Sequence, residues 1–174
     1  MTKPEQLRPF VIEDVNTALK VVKGVYEMRA RDTNDIRFGK VFPIYPEIFG
    51  YAALKARGEI VMELGGASGE NAILLAFAGA RKVYLNDINI EELDKFNALK
   101  KSLSQQIQEK LVSLPGDCLD TLSKRKALDE RVGLVLCRNL IHFFNDSQQK
   151  RFFSLLRETL NPSSPASVRK FADS

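Results

Sequence analysis

Residues 58–161 alternate four times between a short apolar run and a longer segment with helical periodicity. Such alternation favours right-handed crossovers and a parallel sheet with helices packed against it. The last run is apolar at nearly every position, as expected for a strand that is covered on both faces. The sequence therefore predicts an α/β fold. The predicted strands are GEIVMELG (58–65), RKVYLNDI (81–88), EKLVSLPGD (109–117) and RVGLVLCRN (131–139).

The segment after the first run has the features of an amphipathic helix. It reads GENAILLAFAGA (69–80), and Gly79 near its end is a typical helix stop. Its periodicity predicts one face toward the core, made of Ile73, Leu74, Phe77 and Ala78.

Capping signals mark two of the later helices, which are predicted over 89–103 and 144–161, with a third helix over 118–130 between them. Asn89 and Glu92 have the spacing of an N-cap and its N3 partner. Asp146 and Gln149 have the same spacing, and we expect them to cap the last helix.

The ends of the chain do not follow the alternation. Residues 1–57 carry apolar side chains at helical spacing and are predicted to form an N-terminal helical cap or lid on the core of residues 58–162. Residues 163–174 are rich in proline and serine, which predicts a flexible tail. A length of 174 residues suits about one domain.

Composition narrows the class of protein. The net charge of +4 comes from scattered lysines and arginines without interleaved aromatic residues, which favours solvated helix faces over a nucleic-acid footprint. No apolar run approaches the roughly 18 residues of a membrane span, and the N-terminus does not resemble a secretory signal. We therefore expect a cytoplasmic protein without membrane contact.

Cys118 and Cys137 match no metal-ligand spacing, so two free thiols and no metal site are predicted.

The turn GGASG (65–69) follows the first strand, where open parallel sheets bind their ligands. Glycines let the backbone approach a ligand closely, and the start of a helix offers unpaired N–H groups. A dinucleotide-binding turn would read G-x-G-x-x-G, but Ala67 and Glu70 stand at its second and third glycine positions. Glu70 would place a carboxylate where a pyrophosphate belongs. The turn therefore disfavours a nucleotide-dependent oxidoreductase and favours a ligand with a cationic centre.

The segment ELGGASGENAILLA (63–76) resembles motif I of the class I S-adenosylmethionine-dependent methyltransferases, an acid followed by G-x-G-x-G, with alanine at the middle glycine position. VYLNDIN, LPGDCLD and LVLCRNLIHFF resemble the later motifs of that family in the same order. The last is similar to a segment of the chemotaxis-receptor methyltransferases. The resemblance covers about residues 58–162. It implies a Rossmann-like, mostly parallel methyltransferase sheet, S-adenosyl-L-methionine as cofactor and an enzyme that transfers a methyl group.

The resemblance also implies roles for residues at the strand ends. Asp87 would hold the ribose hydroxyls, Ile88 would lie against adenine, and Asp117 would accept from the adenine amino group. Each acid has a structural alternative as an ordinary strand-end or turn residue. Cys118 would offer its backbone. The expected cofactor-binding residues are Glu63, Gly65, Gly66, Ala67, Gly69, Asp87, Ile88, Asp117, Cys118, Arg138 and Asn139.

The methyl acceptor leaves no comparable trace in the sequence. Transfer from a sulfonium requires mainly proximity and orientation, so no catalytic residue is assigned. His142 could act as a base, but it is predicted to pack among the apolar residues that flank it. No D-P-P-Y or N-P-P-Y run follows the fourth strand, which favours a small molecule or a protein over a nucleic-acid base as acceptor.

The end of the alternating region raises a second hypothesis about function. The family sheet usually has about seven strands, and the last three are not visible in this sequence. The fourth strand would then lie near a sheet edge, where it could pair with a second copy of the chain. The alternative to a methyltransferase is a non-catalytic, methyltransferase-like module that acts through protein contacts.

Overall fold

The computed structural model describes residues 52–125 and 131–160. Within them, one sheet contains four parallel strands in the order β3-β2-β1-β4. The predicted α/β fold and its four strands are confirmed. The strands are β1 (Ile60–Leu64), β2 (Lys82–Asp87), β3 (Leu111–Pro115) and β4 (Leu134–Cys137).

Helices connect the strands, and they are α1 (Glu70–Phe77), α2 (Ile90–Lys100), α3 (Gln105–Gln108), α4 (Cys118–Arg125) and α5 (Asp146–Thr159). A 3₁₀ turn, Ile141–Phe143, follows β4. The sequence did not predict α3 or the 3₁₀ turn, because elements of three or four residues are too short to show a period. No helix in these two ranges is both long and apolar enough to cross a membrane.

Most of the predicted N-terminal cap and all of the predicted C-terminal tail lie outside the described residues. Residues 1–51 of the predicted cap, residues 126–130 of the predicted third helix and the predicted tail all lie outside them. Residues 52–56 are helical, and Ala52 and Ala56 are buried in the same apolar cluster as α1. This end of the predicted cap therefore packs directly on the core.

The two faces of the sheet are covered by different helices. On one face, Val61 of β1 belongs to a cluster that includes residues of α1 and α2. On the other face, Ile60, Met62 and Leu64 belong to a cluster with residues of α4 and α5. Every residue of β1 is buried, as expected for a central parallel strand.

Helix α1 buries only part of the face that the periodicity predicted. Ile73 and Ala78 are buried as expected, but Leu74 and Phe77 are only half-buried. Ala72, Leu75 and Ala76 are buried in their place. Small alanine side chains let the helix lie close to the sheet, and a pattern weighted by side-chain size does not identify them.

The structure confirms one predicted helix cap but not its predicted partner, and it differs from the prediction at the last helix. Asn89 is the N-cap of α2, and its side chain accepts a hydrogen bond from the Glu91 amide at 3.0 Å. The Asn89 amide donates to Asp87 Oδ1 at 2.8 Å, in place of the predicted partner Glu92. The predicted cap of the last helix is wrong by one residue. Asn145 accepts from the Gln148 amide at 2.9 Å, and Gln148 Oε1 accepts from the Asn145 amide at 3.0 Å.

Strand β4 is one of the two edge strands of the described sheet, in line with the expectation that it lies near a sheet edge. Its outer edge is partly engaged by the chain itself at the start of the strand. The Val132 amide donates to the Thr159 carbonyl at 3.2 Å, and Val132 forms a parallel bridge with Leu160. Pairing of this edge with a second copy of the chain stays a prediction.

The strand order reverses between β1 and β4. From β1 the chain adds β2 and β3 on one side and then places β4 on the other. In open α/β sheets the crevice beyond the carboxyl ends at such a reversal is where ligands bind. The turn 65–69 after β1 and residues 138–139 after β4 lie at this point.

Candidate functional site

Backbone hydrogen bonds hold the turn 65–69 against the end of β2. The amides of Gly65 and Gly66 donate to the Asn86 carbonyl at 2.9 and 3.2 Å. The Ala67 amide donates to Asp87 Oδ2 at 2.7 Å, and the Asn89 amide donates to Asp87 Oδ1 at 2.8 Å. Both carboxylate oxygens of Asp87 therefore bind the main chain, and this fixes the shape of the turn.

Two glycines of the turn are required by the protein's own packing. A Cβ atom at Gly66 would lie 2.4 Å from Leu85 Cδ1 and 2.6 Å from Glu63 Cδ. A Cβ atom at Gly69 would lie 2.5 Å from Phe96 Cδ2, and Gly69 has a φ of +74°. Any larger residue at either position would displace core side chains.

Two residues other than glycine adopt left-handed backbone conformations at this edge of the sheet. Ala67 has a φ of +50° and Asn139 has a φ of +52°. Asparagine tolerates this region, whereas an alanine Cβ costs about 1–2 kcal/mol there. The hydrogen bond from the Ala67 amide to Asp87 thus holds a strained residue in place, and strained residues cluster at binding sites.

Glu63 lies beneath the turn and is 2% exposed. Its Oε1 accepts from Asn71 Nδ2 at 2.9 Å. Burial raises the pKa of Glu63 to about 8. The Asn71 hydrogen bond lowers the pKa, the charge of Glu70 raises it, and both a hydrogen bond from the Ala72 backbone and the charge of Arg138 lower it. Within the described ranges, Glu63 Oε2 and Asn71 Oδ1 are buried and have no hydrogen-bond partner.

Asn71 is a site residue that the sequence analysis missed. It lies in the first turn of α1, where asparagine has a low helix propensity. A side-chain amide at the start of the helix that follows the glycine turn, just after a buried acid at the strand end, is a signal that could have identified Asn71.

A carboxylate of the protein lies at the N-terminal end of α1. Glu70 is 5% exposed in the first turn of this helix, and its Oε1 accepts from Ser68 Oγ at 3.2 Å. A phosphate bound at this helix end would face a buried acid. The local charge therefore agrees with the sequence argument against a dinucleotide.

The turn after β3 is joined to β2 by Asn86, a second residue that the sequence analysis missed. Asn86 Nδ2 donates to the carbonyls of Leu114 and Gly116, both at 2.9 Å, and to Thr121 Oγ1 at 3.1 Å. The Gly116 amide donates in turn to the Asp87 carbonyl at 3.0 Å. These bonds place the turn after β3 beside the end of β2.

Asp117 and Cys118 lie at the start of α4. Asp117 Oδ1 accepts from the amides of Leu119 and Asp120 at 2.8 and 3.2 Å, so this carboxylate caps the helix. The Cys118 side chain is buried in the cluster on the α4 and α5 face. Burial and the neighbouring Asp117 raise the pKa of the Cys118 thiol to about 12, which excludes a reactive thiolate at neutral pH.

Exposed side chains follow the other strand ends. Ile88 is 68% exposed directly after β2, and Asn139 is exposed after β4. His142 is also exposed, with its ring centroid 4.1 Å from that of Phe143. The prediction that His142 packs among its apolar neighbours is wrong, because the 3₁₀ turn buries Ile141 and directs His142 outward.

The structure thus brings the predicted residues of β1, β2 and the turn 65–69 into one hydrogen-bonded unit, to which the turn before Asp117 is joined through Gly116. In residues 52–125 and 131–160, no group of three histidine, cysteine, aspartate or glutamate side chains could hold a metal ion.

Solved structures share this fold, although no protein-family model and no curated protein matches the sequence. The chain is similar to an O-methyltransferase from Bacillus cereus in complex with SAH, with a TM-score of 0.58, 13% identity, and coverage of 91% of this chain and 66% of that chain. It is similar to the glycopeptide N-methyltransferase MtfA, with a TM-score of 0.53, 19% identity and coverage of 67% and 52%.

A third similar structure is the precorrin 8W decarboxylase of Methanobacterium thermoautotrophicum, with a TM-score of 0.52, 16% identity, and coverage of 70% of this chain and 61% of that chain. The chain spans about half the length of the MtfA structure. These likenesses show the fold: a Rossmann-like methyltransferase sheet, as the sequence resemblance implied.

Proposed function

We propose that the chain binds S-adenosylmethionine in the crevice at the carboxyl ends of β1 and β4 and transfers its methyl group to an acceptor. The observation that carries this proposal is the fixed carboxylate of Asp87 beside the glycine turn of a methyltransferase fold. Each Asp87 oxygen accepts one main-chain amide and can accept a second donor. The carboxylate can therefore bind two adjacent hydroxyl groups, such as those of a ribose.

The charges near the turn support a nucleoside with a cationic centre. Glu70 lies at the start of α1, where its carboxylate would repel a phosphate, and Glu63 beneath the turn adds a second negative charge when it is ionised. A sulfonium or ammonium group is attracted by the same charges. Related evidence comes from proteins of the same fold, because MtfA forms a complex with sinefungin and the B. cereus enzyme forms one with SAH.

The remaining predicted contacts are consistent with their places in the fold. Ile88 offers an exposed apolar surface to an adenine ring, and Asp117 lies on the next turn, with Oδ1 used as a helix cap. Arg138 and Asn139 follow β4 directly, and we expect them to contact the cofactor from that side. When bound, the cofactor supplies a methyl group that its positive charge already activates, and the chain's residues orient the reactants and exclude water.

Calorimetric titration with S-adenosylhomocysteine, with NAD as control ligand, tests the cofactor. We expect micromolar binding of S-adenosylhomocysteine alone. The contact with adenine is tested by Ile88→Ser, which we expect to weaken binding about 5- to 10-fold through loss of apolar contact. Ile90→Ser is the matched control, since Ile90 is 64% exposed only two residues away. Binding of NAD alone, or equal losses in both variants, would contradict the proposal.

Turnover is measured separately, with methyl-labelled S-adenosylmethionine and pools of small molecules, proteins and RNA. Transfer to small molecules or proteins is the expected result. Tight binding without transfer to any pool would support the alternative of a non-catalytic module that acts through protein contacts.

A further inference from the structure

Two buried oxygen atoms under the glycine turn have no hydrogen-bond donor among the described residues. Glu63 Oε2 and Asn71 Oδ1 have no hydrogen-bond partner anywhere in the described part of the chain. They belong to side chains already joined through their other polar atoms, because Asn71 Nδ2 donates to Glu63 Oε1 at 2.9 Å. Flipping the side-chain amide of Asn71 would break that bond and place Asn71 Oδ1 against Glu63 Oε1, which are both acceptors when Glu63 is ionised.

One proton on Glu63 Oε2, donated to Asn71 Oδ1, would give both oxygens a partner. A carboxylic acid and a primary amide can form two antiparallel hydrogen bonds, one from the amide N–H and one from the acid O–H. An ionised Glu63 has acceptors only, so Asn71 Oδ1 would stay unsatisfied beside a buried charge, and both are unfavourable.

We infer that Glu63 and Asn71 form a neutral acid–amide pair that holds one proton in the ligand-free chain and releases it when a cationic ligand binds at the glycine turn. The proton passes to the solvent, and no other bond is made or broken. The statement about the ligand-free chain stands on its own; the release on binding rests on the proposed function.

The contacts of Glu63 explain how a ligand at the turn reaches the pair. The Gly66 backbone packs on the Glu63 carboxyl, since a Cβ at Gly66 would lie 2.6 Å from Glu63 Cδ. A positive charge bound on this turn favours the ionised form of Glu63 and lowers its pKa. By linkage, binding then releases the proton, and affinity rises with pH until Glu63 ionises without ligand.

The other groups around Glu63 do not replace this proton. From α1, Glu70 raises the pKa of Glu63 and the Ala72 backbone N–H lowers it, and from the end of β4, Arg138 lowers it. Burial has the largest effect, and the pKa lies at about 8. Cys137 of β4 is neutral at these pH values because burial raises the pKa of its thiol to about 12. On β2, the residue paired with Glu63 is the uncharged Leu85.

The ligand-free pair is tested by carbon NMR of the side-chain carboxyl of Glu63, assigned with Glu63→Gln, between pH 4 and 10. We expect a titration midpoint near 8. A midpoint near the ordinary value of 4.5 would overturn the inference. Glu63→Gln also keeps both hydrogen bonds without a proton, so its stability relative to the unchanged chain should rise between pH 5 and 9. An unchanged difference across this range would also overturn the inference.

Proton release is tested by calorimetry of the unchanged chain with S-adenosylmethionine, which carries the sulfonium charge, in pairs of buffers that differ in ionisation enthalpy and buffer at the pH of each measurement. If binding lowers the pKa of Glu63 well below 7, the release approaches one proton per ligand at pH 7 and becomes small at pH 9, where Glu63 is already mostly ionised. Glu63→Gln should abolish the release, and Glu109→Gln, at an exposed acid after α3, is the control that should keep it. Normal binding without release would overturn the coupling, whereas absence of binding would refute the proposed function and leave the NMR midpoint to decide on the pair.

Discussion

Replacement of Asn86 by aspartate tests how the two turns of the candidate site are held together. The Asn86 side chain acts as a donor to Leu114 O, Gly116 O and Thr121 Oγ1, and the residue is 1% exposed. Aspartate has nearly the same shape but, when ionised, only accepts. The substitution therefore brings a buried carboxylate against two carbonyl oxygens without creating a cavity.

The expected loss follows from the two carbonyls that no longer receive a donor. An unsatisfied buried acceptor costs about 1–3 kcal/mol, and because Leu114 and Gly116 are half-buried the lower end applies to each. We therefore expect Asn86→Asp to lower the free energy of unfolding by about 2 kcal/mol at pH 7. Protonation would return one O–H donor, so the folded state raises the pKa of the new carboxyl above its ordinary value of about 3.9. The destabilisation should therefore grow as the pH rises from 4 to 7.

Urea unfolding followed by circular dichroism at several pH values measures this loss. Asn97→Asp is the matched control, because Asn97 Oδ1 accepts from Ser113 Oγ at 3.2 Å and aspartate keeps that acceptor. We expect a change within about 1 kcal/mol for the control. Equal stabilities of the two variants at pH 7, or a pH-independent loss for Asn86→Asp, would refute the donor role of Asn86.

Three further changes have distinct expected outcomes. Gly66→Ala should lower the free energy of unfolding by about 1–3 kcal/mol in a urea titration, because its Cβ would lie 2.4 Å from Leu85 Cδ1. Ala67→Gly should leave stability unchanged or raise it by up to about 1 kcal/mol, since relief of the strain at a φ of +50° offsets the added chain entropy; a clear loss would contradict the strain. Cys118 and Cys137 should resist a thiol reagent at pH 8 until urea unfolds the chain, because burial raises the pKa of both thiols to about 12; rapid labelling of the folded chain would contradict their burial.

The sheet was predictable because its signal is local. Each strand is a run of four to six residues with apolar neighbours on both faces, and each is followed by a turn residue or a helix cap. The position of Asn89 as an N-cap needed only the residues next to it. The same reasoning failed at the last helix, where Asn145 and Asp146 are both good caps and each has a glutamine three residues later. Only the backbone geometry selects Asn145.

Long-range polar contacts were not predictable in the same way. Asn86 bonds to atoms 28 to 35 residues away, and Asn71 bonds to an acid eight residues earlier across the glycine turn. A sequence pattern shows that such residues are polar, but it does not show which partner lies across the fold. The acids at strand ends were found because the resemblance named their positions, and their amide partners had no motif to mark them.

The glycines of the turn and the acid beneath it, Glu63, support different conclusions. Protein atoms fill the space beside Gly66 and Gly69, so a chain that bound nothing would still need both glycines to fold. Glu63 is different, because burial without a donor for Oε2 in the described residues makes its ionised form unfavourable. A glutamine would keep the hydrogen bond with Asn71 and remove the charge. Folding alone therefore favours glutamine over glutamate at this position, and the acid is better explained by a cation that it binds or senses. If Glu63→Gln gains stability above pH 8 and loses affinity for S-adenosylhomocysteine, the acid serves the ligand; if the variant neither gains stability nor loses affinity, the glycine turn indicates the fold alone.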